Sequence, residues 1–149
     1  MYEHILVPTD GSELSARAVN SAIRFAKSIG ARITLLYVQP DYPRPIVGEG
    51  ALIAPENREE FLEETAKQAN GILANAQAAA RTEGVTAVSY TEVSDVPYQV
   101  IIDTAEREKC DLIFMASHGR KGLAGLLIGS ETHKVLTHSK MPVLVYREG

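Results

Sequence analysis

The chain of 149 residues contains a single cysteine, which excludes a framework of disulfide bonds. It has no apolar run near the ~18 uninterrupted residues that a membrane-spanning helix requires. Its first residues, MYEHILVPTDGS, lack the basic start and the apolar run of about 7–15 residues that mark a secretory signal peptide. From these absences we expect a cytoplasmic protein that does not interact with a membrane.

Positive charge is also scarce. The 15 Lys and Arg are outnumbered by 19 Asp and Glu, so the formal net charge is −4. An acidic chain is poorly suited to hold a polyanion by bulk electrostatics, and we therefore expect no nucleic-acid partner. Residues 111–149 nevertheless carry five Lys or Arg against three Asp or Glu. This local excess of positive charge can attract a small anion.

The rest of the composition is typical of a soluble globular domain, with 45% hydrophobic and 23% charged residues. The length fits one domain, so residues 1–149 are predicted to form a single unit. Short apolar runs alternate with amphipathic stretches. The predicted strands are residues 4–8, 33–38, 85–93, 112–116 and 142–146, and the predicted helices are residues 12–29, 56–83, 94–105 and 130–136.

The alternation of strands and helices predicts an α/β fold. The strands are mostly apolar with little alternation, although residues 85–93 alternate loosely, and this pattern is typical of a sheet covered on both faces. Right-handed crossovers then give an open, parallel, five-stranded sheet with helices on both sides, a Rossmann-like architecture with strand order 3-2-1-4-5. Residues 39–55 are rich in Pro and Gly and are predicted to form a long irregular loop, either a binding loop or a disordered segment.

Two segments that follow strands have a composition that is unusual for a simple connecting loop. Ligands of open parallel sheets bind at the carboxyl ends of strands where the winding reverses, and residues 8–12 and 117–130 lie at such ends. The second segment contains Gly119, Gly122, Gly125 and Gly129. Glycines let backbone N–H groups surround an anion, and a helix that begins near Ser130 would direct its positive end to the same place. The alternative is that these glycines only form tight turns.

This glycine-rich segment is similar to the nucleotide-binding signature of the universal stress protein family. The signature consists of Gly, two residues, Gly, nine residues, and then Gly followed by Ser or Thr. Residues 115–122 (MASHGRKG) and 127–130 (LIGS) carry the match, with Gly119 and residues 129–130 at signature positions. Ala116 replaces the first glycine.

Three other segments resemble the same family. They are residues 5–12 (ILVPTDGS), the end of the second strand at residues 37–38, and residues 142–145 (PVLV). The resemblance therefore extends over the whole chain and is least close over residues 40–90. It implies the adenine nucleotide alpha-hydrolase-like version of the fold, a homodimer, and a role as a nucleotide-dependent module of the stress response.

The resemblance also implies a ligand, ATP or AMP. Asp10 would lie near the ribose and phosphates and help to hold a Mg²⁺ ion that accompanies ATP, while Val38 would offer backbone groups to adenine. The residues that the resemblance places around the nucleotide are Pro8, Thr9, Asp10, Val38, Met115, Ala116, Gly119, Gly129, Ser130 and Glu131, with Met115 and Ala116 on the base and ribose side. Arg120, which lies beside the glycines in sequence, is added to the predicted phosphate site for its positive charge. The implied homodimer would form through the edge strand, residues 141–147, and the alternative is an edge that Lys140 and Arg147 protect from pairing. The protein partner that responds to the module is unknown.

Ala116 leaves two interpretations open. If the position requires a positive φ or a very close approach, its Cβ weakens nucleotide binding. If the position requires only a small residue, alanine is sufficient. The later glycines of the signature are kept, and we therefore predict that the chain binds nucleotide.

Other residues have simpler interpretations. His133 and His138 lie on different faces of a helix, so a joint metal site is not expected. Cys110 is predicted to be an inert packing residue. His118 either contacts phosphate or ribose or holds its own loop by hydrogen bonds. Asp10 as a phospho-acceptor would need further acids that the pattern does not provide.

Three classes of function are consistent with these patterns. The first is a nucleotide-binding regulatory module. The second is a slow ATPase, for which Asp10 and His118 are the groups that could orient water. The third is a dimeric interaction protein with a weak or vestigial nucleotide site. Neither G-x-S-x-G nor G-x-x-x-x-G-K-[ST] occurs, and no residue is predicted to be catalytic.

Overall fold

Strands and helices alternate along the chain. The computed structural model describes residues 1–43, 57–119 and 128–148. The elements within these residues are β1 (His4–Pro8), α1 (Glu13–Ile29), β2 (Arg32–Gln39), α2 (Arg58–Thr82), β3 (Ala87–Val93), α3 (Pro97–Arg107), β4 (Leu112–Ala116), α4 (Ser130–His138) and β5 (Val143–Tyr146).

The five strands form one parallel sheet with the order β3-β2-β1-β4-β5. Val7 lies beside Leu35 on one side of β1, and Ile5 lies beside Leu112 on the other. The predicted sheet and its strand order are therefore confirmed. Because the chain moves outward from β1 first through β2 and later through β4, the winding reverses between β1 and β4. Binding crevices of open α/β sheets form at such a reversal.

Each face of the sheet packs against its own pair of helices. Successive side chains of a strand point to opposite faces. Ile5 and Val7 of β1 accordingly lie in a core with α1 and α2, and Leu6 between them lies in a core with α3 and α4. All three are fully buried, and burial of such a side chain contributes about 1.5–3 kcal/mol. The position of β1 at the centre of both cores makes its carboxyl end a rigid base for the turn that follows.

The ends of α1 are those that the sequence predicts. The Ser12 side chain accepts a hydrogen bond from the Ser15 backbone N–H, and Gly30 ends the helix with a φ of 72°. The start of α3 differs from the prediction. Ser94 accepts the N–H of Val96 in a turn that precedes the helix, which begins only at Pro97.

The sequence places six apolar residues at helical spacing along one face of α2, and this face is buried only in part. Ala69, Leu73, Ala76 and Ala80 are buried, whereas Leu62 and Ala66 are only half-buried. A helix of 25 residues is about 37 Å long, and a strand of eight residues spans about 26 Å. One end of α2 must therefore extend beyond the sheet, and the buried positions identify it as the amino-terminal end.

One edge strand of the sheet is β5, whose four residues are all half-buried. In the part of the chain that the structure describes, no other strand lies beyond it. Lys140 and Arg147 flank this edge in sequence. No helix among the described residues has both the length and the apolar character needed to cross a membrane.

Candidate functional site

The turn between β1 and α1 is held by its own side chains. Thr9 is buried, and its Oγ1 lies 3.0 Å from Ser15 Oγ. Asp10 accepts the Ser12 N–H through Oδ1 at 2.9 Å, and Gly11 adopts a φ of 78° that favours glycine. These bonds fix the direction of the Asp10 carboxylate at the carboxyl end of β1.

The end of β4 is joined to the start of α4 by two hydrogen bonds. The Gly129 N–H donates to the Ser117 carbonyl at 2.7 Å, and the buried Thr132 hydroxyl donates to the Ala116 carbonyl at 2.9 Å. Gly129 is the residue that precedes α4, and no side chain caps this helix. The Ser130 hydroxyl therefore does not cap its own helix and is exposed at the first helical position.

The two connections meet at Asp10 and Gly119. A Cβ built on Gly119 would lie 2.6 Å from Asp10 Oδ2, closer than real Cβ contacts. The segment after β4 thus approaches the β1 turn as closely as a glycine permits. We call this group the cradle: Asp10, residues 117–119 and residues 129–131.

The glycines of the cradle provide space rather than unusual backbone angles. Gly129 has a φ of −72°, which any residue can adopt, and Gly119 is not among the described residues with positive φ. A Cβ on Gly129 would lie 3.2 Å from the Ser117 carbonyl oxygen and 3.3 Å from His118 Cα. At both positions a side chain would press against neighbouring atoms of the protein itself.

His118 and Glu131 add two polar side chains to the cradle. His118 Nδ1 lies 3.0 Å from Ser117 Oγ, so the ring does hold its own loop. His118 Nε2 is buried and has no hydrogen-bond partner within residues 1–43, 57–119 and 128–148. Glu131, in the first turn of α4, has Oε2 at 3.6 Å from Lys134 Nζ.

The residues predicted to lie near adenine are on one face of the sheet. Met115 is buried in the core with α3 and α4, and the half-buried Val38 packs against the same core. Met115 is the penultimate residue of β4 and Val38 is the penultimate residue of β2, the two strands that flank β1. The structure therefore brings the predicted base-side and phosphate-side residues to the same edge of the sheet.

Ala116 occupies an ordinary strand position. It ends β4 with only 7% of its surface exposed, and it is absent from the described residues with positive φ. The interpretation that this position needs only a small residue is the one that agrees with its backbone conformation.

Two predicted features lie outside the described residues. Arg120, together with Gly122 and Gly125, belongs to residues 120–127, and most of the predicted loop over residues 39–55 belongs to residues 44–56. The remaining predicted site residues are all described.

Three structural supports of the cradle escaped the sequence prediction. Ser15 contacts Thr9 and accepts the Asp10 N–H at 3.4 Å, Thr132 connects α4 to β4, and the Ser117 N–H donates to the Tyr146 carbonyl of β5 at 2.8 Å. For Ser15 and Thr132 the only sequence signal is a hydroxyl residue within one helical turn of the motifs, and for the backbone bond of Ser117 there is none. That signal is weak, since Ser and Thr are common at helix starts.

The described residues include no group of three or more His, Cys, Asp or Glu that could hold a metal ion. Cys110 is buried, and burial raises the pKa of its thiol to about 11. A thiol with that pKa is a poor nucleophile at neutral pH, which agrees with the predicted packing role.

A separate cavity of about 260 Å³ lies at the opposite, amino-terminal edge of the sheet. Arg32 and Lys109 follow the ends of α1 and α3, where cations interact favourably with the helix dipole. The Asp111 carboxylate there accepts the backbone N–H groups of Glu3 and His4. These two hydrogen bonds give the Asp111 carboxylate a structural role at this edge.

The chain matches proteins of one family over nearly its whole length. The profile of the universal stress protein family matches residues 1–147. Universal stress protein MJ0531 of Methanocaldococcus jannaschii is 35% identical, with 99% of this chain and 84% of that protein covered. Universal stress protein YxiE of Bacillus subtilis is 32% identical, with 99% of this chain and 100% of that protein covered.

Solved structures share the fold. Universal stress protein UspA from Lactobacillus plantarum has a TM-score of 0.84 at 26% identity, with 98% of each chain covered. A universal stress protein in complex with cAMP has a TM-score of 0.72 at 24% identity, covering 99% of this chain and 99% of that one. One from Archaeoglobus fulgidus in complex with dAMP has a TM-score of 0.69 at 20% identity, covering 98% of each chain. The family match over residues 1–147, together with the parallel sheet and the meeting of its two crossover turns, leads to one assignment: this chain belongs to the universal stress protein family.

Proposed function

We propose that this chain binds an adenine nucleotide, ATP or AMP, in the cradle and acts as a nucleotide-dependent regulatory module of the stress response. The observation that carries the proposal is the contact between Gly119 and the Asp10 carboxylate. It brings a glycine-lined backbone, an acid and the start of α4 together where the winding of the sheet reverses. Anions bind at such helix starts because unpaired backbone N–H groups and the helix dipole are directed toward them.

The cradle has the features that a phosphate group requires. Ser130 is exposed at the first position of α4, and no side chain occupies the cap of that helix. The first N–H groups of a helix have no partner within it, so a phosphate oxygen is a suitable acceptor. Arg120, predicted to contact phosphate, is part of this proposal on sequence grounds alone.

The other end of the nucleotide would lie against Val38 and Met115. Both pack against the core formed with α3 and α4, at the carboxyl edge of the sheet. An adenine ring is planar and largely apolar, and ligand sites of this kind combine apolar walls with a few polar groups. Thr9, whose side chain is bound to Ser15, would contribute backbone and shape next to Pro8 rather than a free hydroxyl. Other proteins of this fold were solved with cAMP and dAMP, which supports an adenine nucleotide as the ligand class.

Mg²⁺ fits the cradle only as an ion that accompanies the phosphates. Mg²⁺ is usually bound by one or two carboxylates, several waters and substrate phosphates, and Asp10 is the carboxylate that the cradle offers next to Gly119. When bound, the ion would supply positive charge between that carboxylate and the phosphates. We therefore expect ATP to need Mg²⁺ more than AMP does, because ATP brings more negative charge close to Asp10.

The experiment that tests the proposal is calorimetric titration of the wild type and the Ser130→Asp variant with AMP and with ATP and Mg²⁺. An acid at the first position of a helix is favourable for the helix itself, so the variant is expected to fold with an unchanged Tm. Its carboxylate would repel the phosphate. A like charge placed beside the phosphate is expected to weaken binding about tenfold or more.

Two controls make this result specific. Ser130→Ala removes only the hydroxyl and should cost less than Ser130→Asp, and His133→Asp places the same charge on an exposed position of the same helix. Absence of any binding by the wild type at millimolar nucleotide would contradict the proposal and favour the interaction protein with a vestigial site. Turnover of ATP, measured in the same samples, tests the slow ATPase.

We also propose that the module is a homodimer formed through the edge strand, residues 141–147. The supporting observation is that β5 is half-buried along its length and that no described strand lies beyond it. Such an edge is a template for another strand, and the same strand of a second copy would give a symmetric pair. Val145 belongs to neither of the two described cores. Val145→Lys is therefore the change in this strand that should disturb the monomer least. Sedimentation should show a dimer for the wild type and a monomer for this variant.

A further inference from the structure

We infer that His118 is a phosphate-binding residue of the cradle, in which Nδ1 is held by Ser117 and Nε2 donates a hydrogen bond to a phosphate oxygen of the nucleotide. This inference rests on the proposed function, since it names a residue that would recognise the ligand of that site. It assigns different tasks to the two nitrogens of one ring.

The contact with Ser117 bears on which ring nitrogen of His118 carries the proton. His118 Nδ1 and Ser117 Oγ are 3.0 Å apart. When the serine hydroxyl donates, Nδ1 is the acceptor, and a neutral imidazole then carries its proton on Nε2. In this tautomer, which we assign to His118, Nε2 is a donor, and the contact with Ser117 limits rotation of the ring.

The Nε2 atom of His118 lacks an acceptor among the described residues. Nε2 is buried and has no hydrogen-bond partner in the parts of the chain that the structure describes. Nearly all buried polar atoms in proteins have a partner, so such an atom needs an explanation. A ligand that supplies an acceptor would explain this unpaired donor, because the hydrogen bond of Nε2 would then form only when the ligand is bound.

The position of His118 in the cradle indicates which part of the nucleotide would supply this acceptor. His118 directly precedes Gly119, which lies against Asp10, and its ring Cδ2 would be 3.7 Å from a Cβ on Gly129. It is thus placed between the two glycines of the cradle, at the start of α4, where the phosphate is proposed to bind. A phosphate oxygen only accepts hydrogen bonds, and an N–H donor beside it forms a charge-assisted bond.

The test uses two variants that each keep one nitrogen position. An asparagine amide reaches the position of Nδ1 and keeps the bond to Ser117, whereas a glutamine amide reaches the position of Nε2. AMP is titrated into the wild type, His118→Asn and His118→Gln. We expect His118→Asn to bind AMP about tenfold more weakly or worse, the effect of losing a hydrogen bond to a charged group, and His118→Gln to stay within about threefold of the wild type.

Equal losses in the two variants, or no loss in His118→Asn, would overturn the inference while leaving nucleotide binding intact. If the wild type itself does not bind AMP, both the proposed function and this inference fail. A second readout is the ¹⁵N spectrum of the His118 ring. Addition of AMP should move the Nε2 resonance and leave Nδ1 nearly unchanged, and a shift confined to Nδ1 would also contradict the inference.

Discussion

Gly119 lies against the carboxylate of Asp10 so closely that a Cβ on the glycine would be 2.6 Å from Asp10 Oδ2. The two residues are far apart in the chain and follow strands β1 and β4, which are neighbours in the sheet. Asp10 cannot simply turn away, because its Oδ1 accepts the Ser12 N–H. This contact is the structural basis of the proposed nucleotide site.

The first prediction concerns Gly119→Ala. The new methyl group displaces the Asp10 carboxylate and disrupts its bond to Ser12, so we expect a loss of about 1–3 kcal/mol in the free energy of unfolding, as for other overpacked sites. Urea unfolding measures it. The matched control is Gly71→Ala, an exposed position of α2 with no atom within 4 Å of the new Cβ. That control should be stabilised by about 0.5–1 kcal/mol.

A double variant identifies the cause. If the methyl group acts through the carboxylate, Asp10→Ala combined with Gly119→Ala should lose less stability than the sum of the two single changes. Residues in contact commonly show interaction energies of about 0.5–3 kcal/mol. Strictly additive losses would show that Gly119 and Asp10 do not meet in solution.

The second prediction concerns Ala116→Gly, which restores the first glycine of the family signature. Ala116 is buried at the end of β4 and does not adopt a positive φ. Glycine there should gain little affinity, with Kd changed by less than about threefold, and should lower the free energy of unfolding by about 0.5–1 kcal/mol because a strand residue loses its side chain. A tenfold tighter Kd for AMP would mean that the methyl group obstructs the ligand.

The third prediction concerns Thr132→Val. The change keeps the shape of a fully packed side chain but removes its hydrogen bond to the Ala116 carbonyl, which connects α4 to β4. A buried acceptor left without its partner costs about 1–3 kcal/mol, and thermal unfolding should show a lower Tm. Thr137→Val is the control, because Thr137 makes a similar bond within α4 but is exposed. Equal effects of the two changes would argue against a special role for Thr132.

The fourth prediction concerns pH. Burial, and then the charge of Arg32, lower the pKa of His4 from its usual value of 6.5, although Asp111 and Glu108 oppose the shift. His4 Nε2 lies 2.6 Å from Thr34 Oγ1. Because the folded state resists protonation, the unfolded state binds more protons as the pH falls through 6.5 toward the lowered pKa. The stabilising contribution of neutral His4 is therefore present above that range and is lost on acidification.

The measurement is urea unfolding across this pH range for the wild type and His4→Gln, which keeps an amide near Nε2. The difference in unfolding free energy between the two should decrease below pH 6.5. A difference that stays constant, or that increases on acidification, would contradict the assignment of His4.

Much of the fold follows from local patterns. The strands over His4–Pro8 and Leu112–Ala116 have the predicted bounds, because a short apolar run bordered by turn residues has few other stable conformations. Gly30 ends α1 as predicted, since glycine readily adopts the left-handed conformation. Less local features were predicted less well. The late start of α3 depends on a turn by Ser94, and the exposed beginning of α2 depends on the length of the strand beneath it.

The sequence by itself determined the order of strands and helices, the apolar faces of the helices that cover the sheet, and the glycines that allow a close approach of the backbone after β4. These are properties of neighbouring residues and of their spacing. Only the tertiary structure decided that Asp10 meets Gly119, that Thr132 joins α4 to β4, and that one nitrogen of His118 is occupied while the other lacks a described partner. Such contacts join residues that are distant in the chain, and they exist only after the sheet has brought the ends of β1 and β4 together.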